Sequence, residues 1–305
     1  MFLLDGKYII GGGGHENIHR WRVKDGREVE TPVNAGDTVY AIAGTRDGKR
    51  FVSGMGKGRL EVWNAENCKK VIGWQAYNSA LPLLVDISPD GTKIVTRSTD
   101  LSQGTRVWSV LTAQPLPSPF KSNSSLVTLK FSPDGRFIAD SSPSLQIYDS
   151  QYTPYPFTFP IQVKESFNQS IAWAGDSEKL FALSSDGNIH CVSVSTKTIV
   201  PGSWAIHDHS ARSGCIALAR NAAFIAASAN SSVSFWDTAT HQQIGSIICH
   251  PTNILCMDIS ENYDLVTAGG TKIILWDLHQ VLPSPYCDNV SVLASNIRSR
   301  RSFSS

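Results

Sequence analysis

Phe131-Ser-Pro-Asp-Gly135 decides the fold: an apolar residue closes a short strand and a polar turn ending in Asp-Gly sends the chain back. Asp-Gly supplies the positive φ that tight hairpins require. Working outward, the place of Phe131 is taken in other units by Phe2, Gly44, Ile87, Trp173, Leu218 and Ile259, at intervals of 41 to 45 residues. A second marker, the residue near the end of an alternating run, recurs as Trp21, Trp63, Trp108, Tyr148, Val192, Trp236 and Trp276, at intervals of 40 to 45. Two independent markers hold one phase through seven units, so the chain is a repeat array.

Each unit reads as short strands divided by turn residues. In the second, Val39–Ala43 is an inner strand, Arg46-Asp-Gly48 a turn and Arg50–Gly54 the next strand. A Gly-rich turn through Gly58 follows, then the alternating Leu60-Glu-Val-Trp63, then Lys69–Ile72. Helical 3.6-residue periodicity is nowhere sustained. The expectation is an all-β chain: a seven-bladed β-propeller of four-stranded antiparallel blades, with the first blade short of residues at its N-terminal end.

Trp236-Asp237 and Trp276-Asp277 share one dipeptide, Tyr148-Asp149 is a near form, and Ser88-Pro-Asp-Gly91 repeats the turn at Ser132-Pro-Asp-Gly135. With units of about 40–45 residues, the chain resembles the WD-repeat (β-transducin-like) family over residues 1 to about 286. That resemblance implies blades around a central channel with only short, protected sheet edges. It also implies a buried hydrogen-bond set of His, turn Asp, Ser or Thr, and Trp. Here His209 and His250 fill the His place, and the sixth unit comes nearest to a full set with His209, Ser228, Asn230 and Trp236. Elsewhere Ala35, Asn78, Ser122 and Lys164 stand in the His place, so most blades must rely on apolar packing.

Phe2 already stands just before a turn, so nearly all of the first inner strand is missing from the sequence. Either residues upstream are lacking, or Asn289-Val-Ser-Val-Leu-Ala294, which alternates weakly, supplies a closing strand. Residues 287–305 turn basic and Ser-rich, ending Arg298-Ser-Arg-Arg-Ser-Phe-Ser-Ser305. This composition predicts a disordered tail, in which Ser302 behind Arg300 and Arg301 would suit a basophilic kinase.

Composition narrows the function classes. Charged residues are 17 % of the 305 and the formal net charge is +1, so no electrostatic footprint for nucleic acid or anionic membrane is present. Asp5 and Lys7 interrupt the place of a signal-peptide apolar run. No stretch approaches the roughly 18 apolar residues of a membrane span. Six scattered cysteines with no CxxC predict a reducing, intracellular compartment, cytoplasm or nucleus.

No chemistry-bearing motif survives its context. Gly11–Gly14 leads into an alternating strand rather than a helix, and Gly54-Met-Gly-Lys-Gly58 is the same turn one repeat later, so neither is a phosphate loop. His207-Asp-His209, with Cys249 and His250 one repeat on, lacks a third ligand at matching spacing for a metal. No GxSxG elbow is present. The expectation is no catalytic residue, no cofactor and no metal.

The family's topology places two sets of loops on one surface: those from an outer strand to the next inner strand, and those from second to third strand. Large side chains there are the candidate partner contacts: Trp74 and Tyr77, Arg97 and Asp100 beside the lengthened turn of the third unit, and Trp204 with His207. Tyr152-Thr-Pro-Tyr-Pro-Phe-Thr-Phe-Pro160 reads as an outer strand or loop whose prolines block edge pairing. A cullin-ligase substrate carrier would need an acid at Asn230 and a basic residue at Thr240, and has neither. Three roles stay open: a non-catalytic scaffold or adaptor for protein or peptide partners, a single propeller inside a larger complex; the ligand-sensing propeller of a longer nucleotide-binding switch protein; or a propeller hydrolase.

Overall fold

The computed structural model describes residues 1–3, 6–12, 16–29, 32–78, 81–100, 102, 104–117, 120, 128–141, 144–150, 157–162, 170–184, 186–205, 214–287 and 301–304. The chain is all-β, with seven four-stranded antiparallel sheets, the blade count and blade type of a seven-bladed propeller. It divides into two compact units, Met1–Val163 with four sheets and Lys164–Ser305 with three.

In the first unit, sheet one is β1 (Phe2–Leu3), β2 (Tyr8–Gly12), β3 (Asn17–Arg22) and β4 (Val33–Asn34). Sheet two is β5 (Val39–Gly44), β6 (Arg50–Met55), β7 (Arg59–Asn64) and β8 (Lys70–Gln75). Sheet three is β9 (Pro82–Ile87), β10 (Lys93–Ser98), β11 (Thr105–Ser109) and β12 (Pro115–Leu116). Sheet four is β13 (Leu129–Phe131), β14 (Phe137–Asp140), β15 (Ser144–Asp149) and β16 (Phe157–Gln162). In the second unit, sheet five is β17 (Ile171–Trp173), β18 (Lys179–Leu183), β19 (Asn188–Ser193) and β20 (Thr198–Ala205). Sheet six is β21 (Ile216–Leu218), β22 (Phe224–Ala229), β23 (Ser232–Asp237) and β24 (Gln243–Cys249). Sheet seven is β25 (Cys256–Ile259), β26 (Asp264–Gly269), β27 (Lys272–Asp277) and β28 (Arg301–Ser304).

Six of the seven first-strand markers are the last residues of their strands, and all seven second markers stand one residue before the end of a third strand. The meander order inside each sheet follows from the short turns. Gly48, Gly91 and Gly135 hold φ of 64°, 69° and 73° at the first hairpin, a conformation that costs Gly little.

Consecutive sheets within a unit stack face to face. Leu60 and Val62 of β7 pack toward sheet three with Ile87, Ile94 and Trp108, whereas Trp63 packs toward sheet one with Ile10 and Ile18. Period-two alternation therefore feeds two cores from one strand, which is why third strands read apolar on both parities. Val95 and Val107 meet Phe131 and Ile138 between sheets three and four. In the second unit Phe181 and Ile189 meet Ile225 and Trp236, while Phe235 meets Leu265 and Trp276.

Indole N–H groups buried by this stacking need acceptors. Trp63, Trp108 and Trp276 donate to Ser53, Thr96 and Thr267 at 2.9, 2.8 and 2.9 Å. Each hydroxyl lies two residues past the cross-strand partner of its Trp. In sheet six that place belongs to Ala227, and Trp236 donates instead to Ser234 on its own strand at 2.9 Å. Ser228, one residue on, accepts from the backbone N–H of Cys215 at 2.9 Å. Asn230 supplies a left-handed turn residue, φ 53°, whose carbonyl accepts from Ile254 at 2.7 Å. The set expected in the sixth unit is thus divided by strand parity, and His209 lies outside the described residues.

The ends differ from expectation in one detail. Sheet one has a first strand of two residues, Phe2–Leu3, and Met1 exchanges two 2.9 Å hydrogen bonds with Ile10. Residues 289–294 lie outside the described residues, but Arg301–Ser304, inside the stretch read as a disordered tail, pairs as β28 with β27. The open edge of β27 is the physical reason a strand can add there. Phe157–Gln162, from the Pro- and aromatic-rich stretch, forms the outer strand of sheet four.

Candidate functional site

The loop end of sheet two is built from three segments. Before β5, Thr38 accepts through its carbonyl from the Gly56 N–H at 2.8 Å. The β6–β7 turn, Gly56–Gly58, carries Lys57 at φ 55°, and a Cβ on Gly56 would collide with the Asp37 carboxylate. Lys57 Nζ lies 3.9 Å from Asp37 Oδ2. At the end of β8, the Gln75 amide donates to the carbonyls of Tyr77, at 2.7 Å, and Lys57.

On this braced end the β5–β6 register shifts between Val39 and Ala41, leaving Tyr40 as a bulged residue with 45 % of its surface exposed. A bulge re-aims one side chain, and bulges are over-represented beside functional sites. Simple alternation hides this: a Tyr within Val39–Ala43 reads as core, and the slip shows only in the packing, where Val39 goes with Ile42 and not with Ala41 and Ala43.

The residues proposed from sequence fare differently. Tyr77 is 1 % exposed; its hydroxyl meets Thr96 Oγ1 at 2.6 Å and its ring stands edge-on to Trp108 at 5.9 Å. Burial pushes its phenol up to about 12. Trp74 is half-buried and tilts against Trp108 at 6.2 Å. Arg97 is buried, its guanidinium 3.6 Å from the Asp140 carboxylate. Trp204 is buried, stacked on His241 at 4.2 Å and edge-on to Phe181. Asp100 keeps a partly exposed side chain that accepts from the Ser102 N–H and hydroxyl at 2.9 and 2.6 Å. His207 lies outside the described residues. Four of the five described candidates are therefore committed to packing, because the next sheet covers them.

His250 is buried, its backbone N–H donating to Ser231 at 2.7 Å and its Nδ1 facing Thr252. Among the described residues no three His, Cys, Asp or Glu side chains gather in a group able to hold a metal, and no helix is long and apolar enough to cross a membrane. Burial pushes the Cys191 and Cys215 thiols up to about 11 and 12, which suppresses thiolate chemistry.

One half-buried carboxyl stands beside a second. Asp264 is registered directly against Asp277, which accepts from the His279 N–H at 3.0 Å and contacts its ring at 3.1 Å. Burial, then the Asp277 charge, raises the Asp264 carboxyl from 3.8 to about 6. Folding therefore takes up a proton here, and this contribution to stability falls as pH rises from about 4 through about 6. Asp264→Asn should flatten that fall by an amount of order 1–3 kcal/mol. Urea midpoints of both proteins between pH 4 and 7 test this; parallel pH curves would refute it.

Compared with known proteins, the chain matches no family model and no curated protein.

Proposed function

We propose that the chain is a WD-type propeller that acts as a non-catalytic interaction scaffold, a single propeller inside a larger intracellular assembly, and that it grips protein or peptide partners at the loop end of sheet two. The bulged, exposed Tyr40 carries this reading. Tyr is favoured at binding hot spots because it buries a large rigid ring and keeps a polar tip. Asp37, Lys57 and Gln75 brace the backbone on either side, so little ordering cost accompanies binding. The family resemblance assigns partner contacts to this class of loop, which supports the same location.

Tyr40→Ala should leave stability within about 0.5 kcal/mol, as for exposed positions, and weaken a partner by 2 kcal/mol or more, roughly 30-fold. A photoreactive phenylalanine analogue at Tyr40 should trap a discrete partner in cells. The same analogue at Leu111, 89 % exposed in the turn between β11 and β12, should not. Equal trapping at both positions, or none at Tyr40, would sink the proposal.

A further inference from the structure

Fourth strands are outer strands, and a long outer strand with open backbone groups invites pairing unless something blocks it. β4 and β12 have two residues each. Pro160 in β16 and Pro201 in β20 have no N–H to offer. In β24 the Ser246 N–H already donates to the Val281 carbonyl at 3.4 Å, and β28 has four residues. β8 has six, contains no Pro, and leaves the ladder only at Val71. Among the described residues no strand pairs with its far side.

Parity shows what that edge presents. The Ala76 N–H donates inward to the Gly58 carbonyl at 2.9 Å, and the pairs Leu60 with Trp74 and Val62 with Ile72 continue the same parity. Bonded and non-bonded pairs alternate along an antiparallel ladder. The N–H and carbonyl groups of Gly73 and Gln75 therefore point away from β7, where an added strand would bond them.

The two faces of this edge differ in chemistry. On one face Gly73 stands opposite Glu61 and Gln75 opposite Arg59. Glu61 is buried, and its Oε1 accepts from Arg59 and, at 3.3 Å, from Lys70. Two cations on one carboxylate leave a positive charge over, and the Lys70 side chain is half exposed. On the other face the half-buried Ile72 and Trp74 pack with Leu60, Val62 and Trp108. A strand laid along the edge sends alternate side chains to the two faces. Acids on one parity would meet Lys70, and apolar residues on the other would lie beside Ile72 and Trp74.

We propose that the outer edge of β8 takes an extended peptide segment of a partner protein, added to sheet two as a further strand, in which acidic and apolar residues alternate. Main-chain hydrogen bonds hold the segment, and the excess positive charge selects its acids. Tyr40 stands on the first strand of the sheet and β8 is its fourth, so this inference is independent of the binding role of Tyr40.

The test titrates the full chain into fluorescein-labelled Glu-Val-Glu-Val-Glu-Val and follows anisotropy. Binding should saturate, with Lys70→Gln weakening it about threefold, as for an exposed ion pair, and Tyr40→Ala leaving it unchanged. The same peptide N-methylated at every residue, which cannot donate to a strand, should not bind. Hydrogen exchange at saturating peptide should slow the Gly73 and Gln75 amides about tenfold or more. No saturation below about 1 mM, or equal binding of the N-methylated peptide, overturns strand addition. Equal binding of Lys-Val-Lys-Val-Lys-Val overturns the selection for acids. Unchanged exchange at Gly73 and Gln75 overturns the location. Slow exchange there without peptide, in a protein that sediments as a dimer, would give the edge to a second copy of this chain and overturn the peptide as its occupant.

Discussion

Asp140→Ala is expected to destabilise the first unit by about 3–5 kcal/mol, the cost of leaving a buried charge without its counter-ion. Asp140 ends β14 in sheet four and Arg97 stands on β10 in sheet three, their side chains 0 % and 1 % exposed. The position of Asp140 is the one occupied by Ser53, Thr96 and Thr267 in sheets two, three and seven, two residues past the partner of the aromatic marker. In sheet four that marker is Tyr148, whose hydroxyl donates to Gln146. Burial and the Asp140 charge both push the Tyr148 phenol upward. A carboxylate has replaced a neutral hydroxyl, and Arg97 from the preceding sheet answers it. Removing the acid takes the Asp140 counter-charge from a guanidinium in a dry interface, and the loss is large against a total of 5–15 kcal/mol. The double variant Arg97→Met, Asp140→Leu should recover most of it, since apolar replacements of similar volume often equal a buried pair. Urea unfolding followed by Trp fluorescence measures both. A single variant within about 1 kcal/mol of wild type, or a double variant no better than the single, would remove this account.

Phe224→Ala is expected to be as damaging in the second unit, about 3–5 kcal/mol. Phe224 has no exposed surface, and its ring lies 6.2 to 6.3 Å from those of Phe235, Tyr263 and Tyr286. Tyr286 is itself tied to sheet six by a 2.6 Å bond from its hydroxyl to Asp237. Four rings meeting at offset and edge-on geometry cannot collapse into the space of one missing ring. The melting temperature should fall by roughly 10 °C, given about 2–4 °C per kcal/mol for domains of this size. Phe224→Leu, which keeps most of the volume, should lose far less. Equal losses for Ala and Leu would mean that ring volume is not what matters here.

Much of the array was legible because its determinants are local. An apolar residue followed by an Asp-Gly or related polar turn defines a hairpin within about ten residues. That is why Gly44, Ile87, Phe131, Trp173, Leu218 and Ile259 each end a first strand. The aromatic marker was equally readable, since a third strand buried on both faces shows its largest side chain at one fixed place. Val192 marks this place in sheet five without being aromatic, and repeat phase alone identified it.

The surface was less legible. Trp74, Tyr77 and Trp204 sit at loop positions by sequence, yet the adjoining sheet supplies Trp108 and His241 to cover them. Arg97 looked like a loop cation because its acid is one repeat away, on a strand that sequence cannot place beside it. Tyr40 was missed for the opposite reason: one slip in β5–β6 register turned a residue of core parity outward. A single-residue slip reverses the face of a side chain, and no local preference records it.

By itself, then, the sequence determined the number of sheets, their four-stranded make-up and, to within a residue, where the first and third strands end. These depend on turn chemistry and two-residue alternation, which act within one repeat. Tertiary structure alone decided which of the alternating side chains meet a neighbour, which charge answers Asp140, which tyrosine is left outside, and that β28 completes sheet seven. Those outcomes depend on what an adjoining sheet or a distant strand presents at contact distance, and that information is spread across repeats rather than written in any one of them.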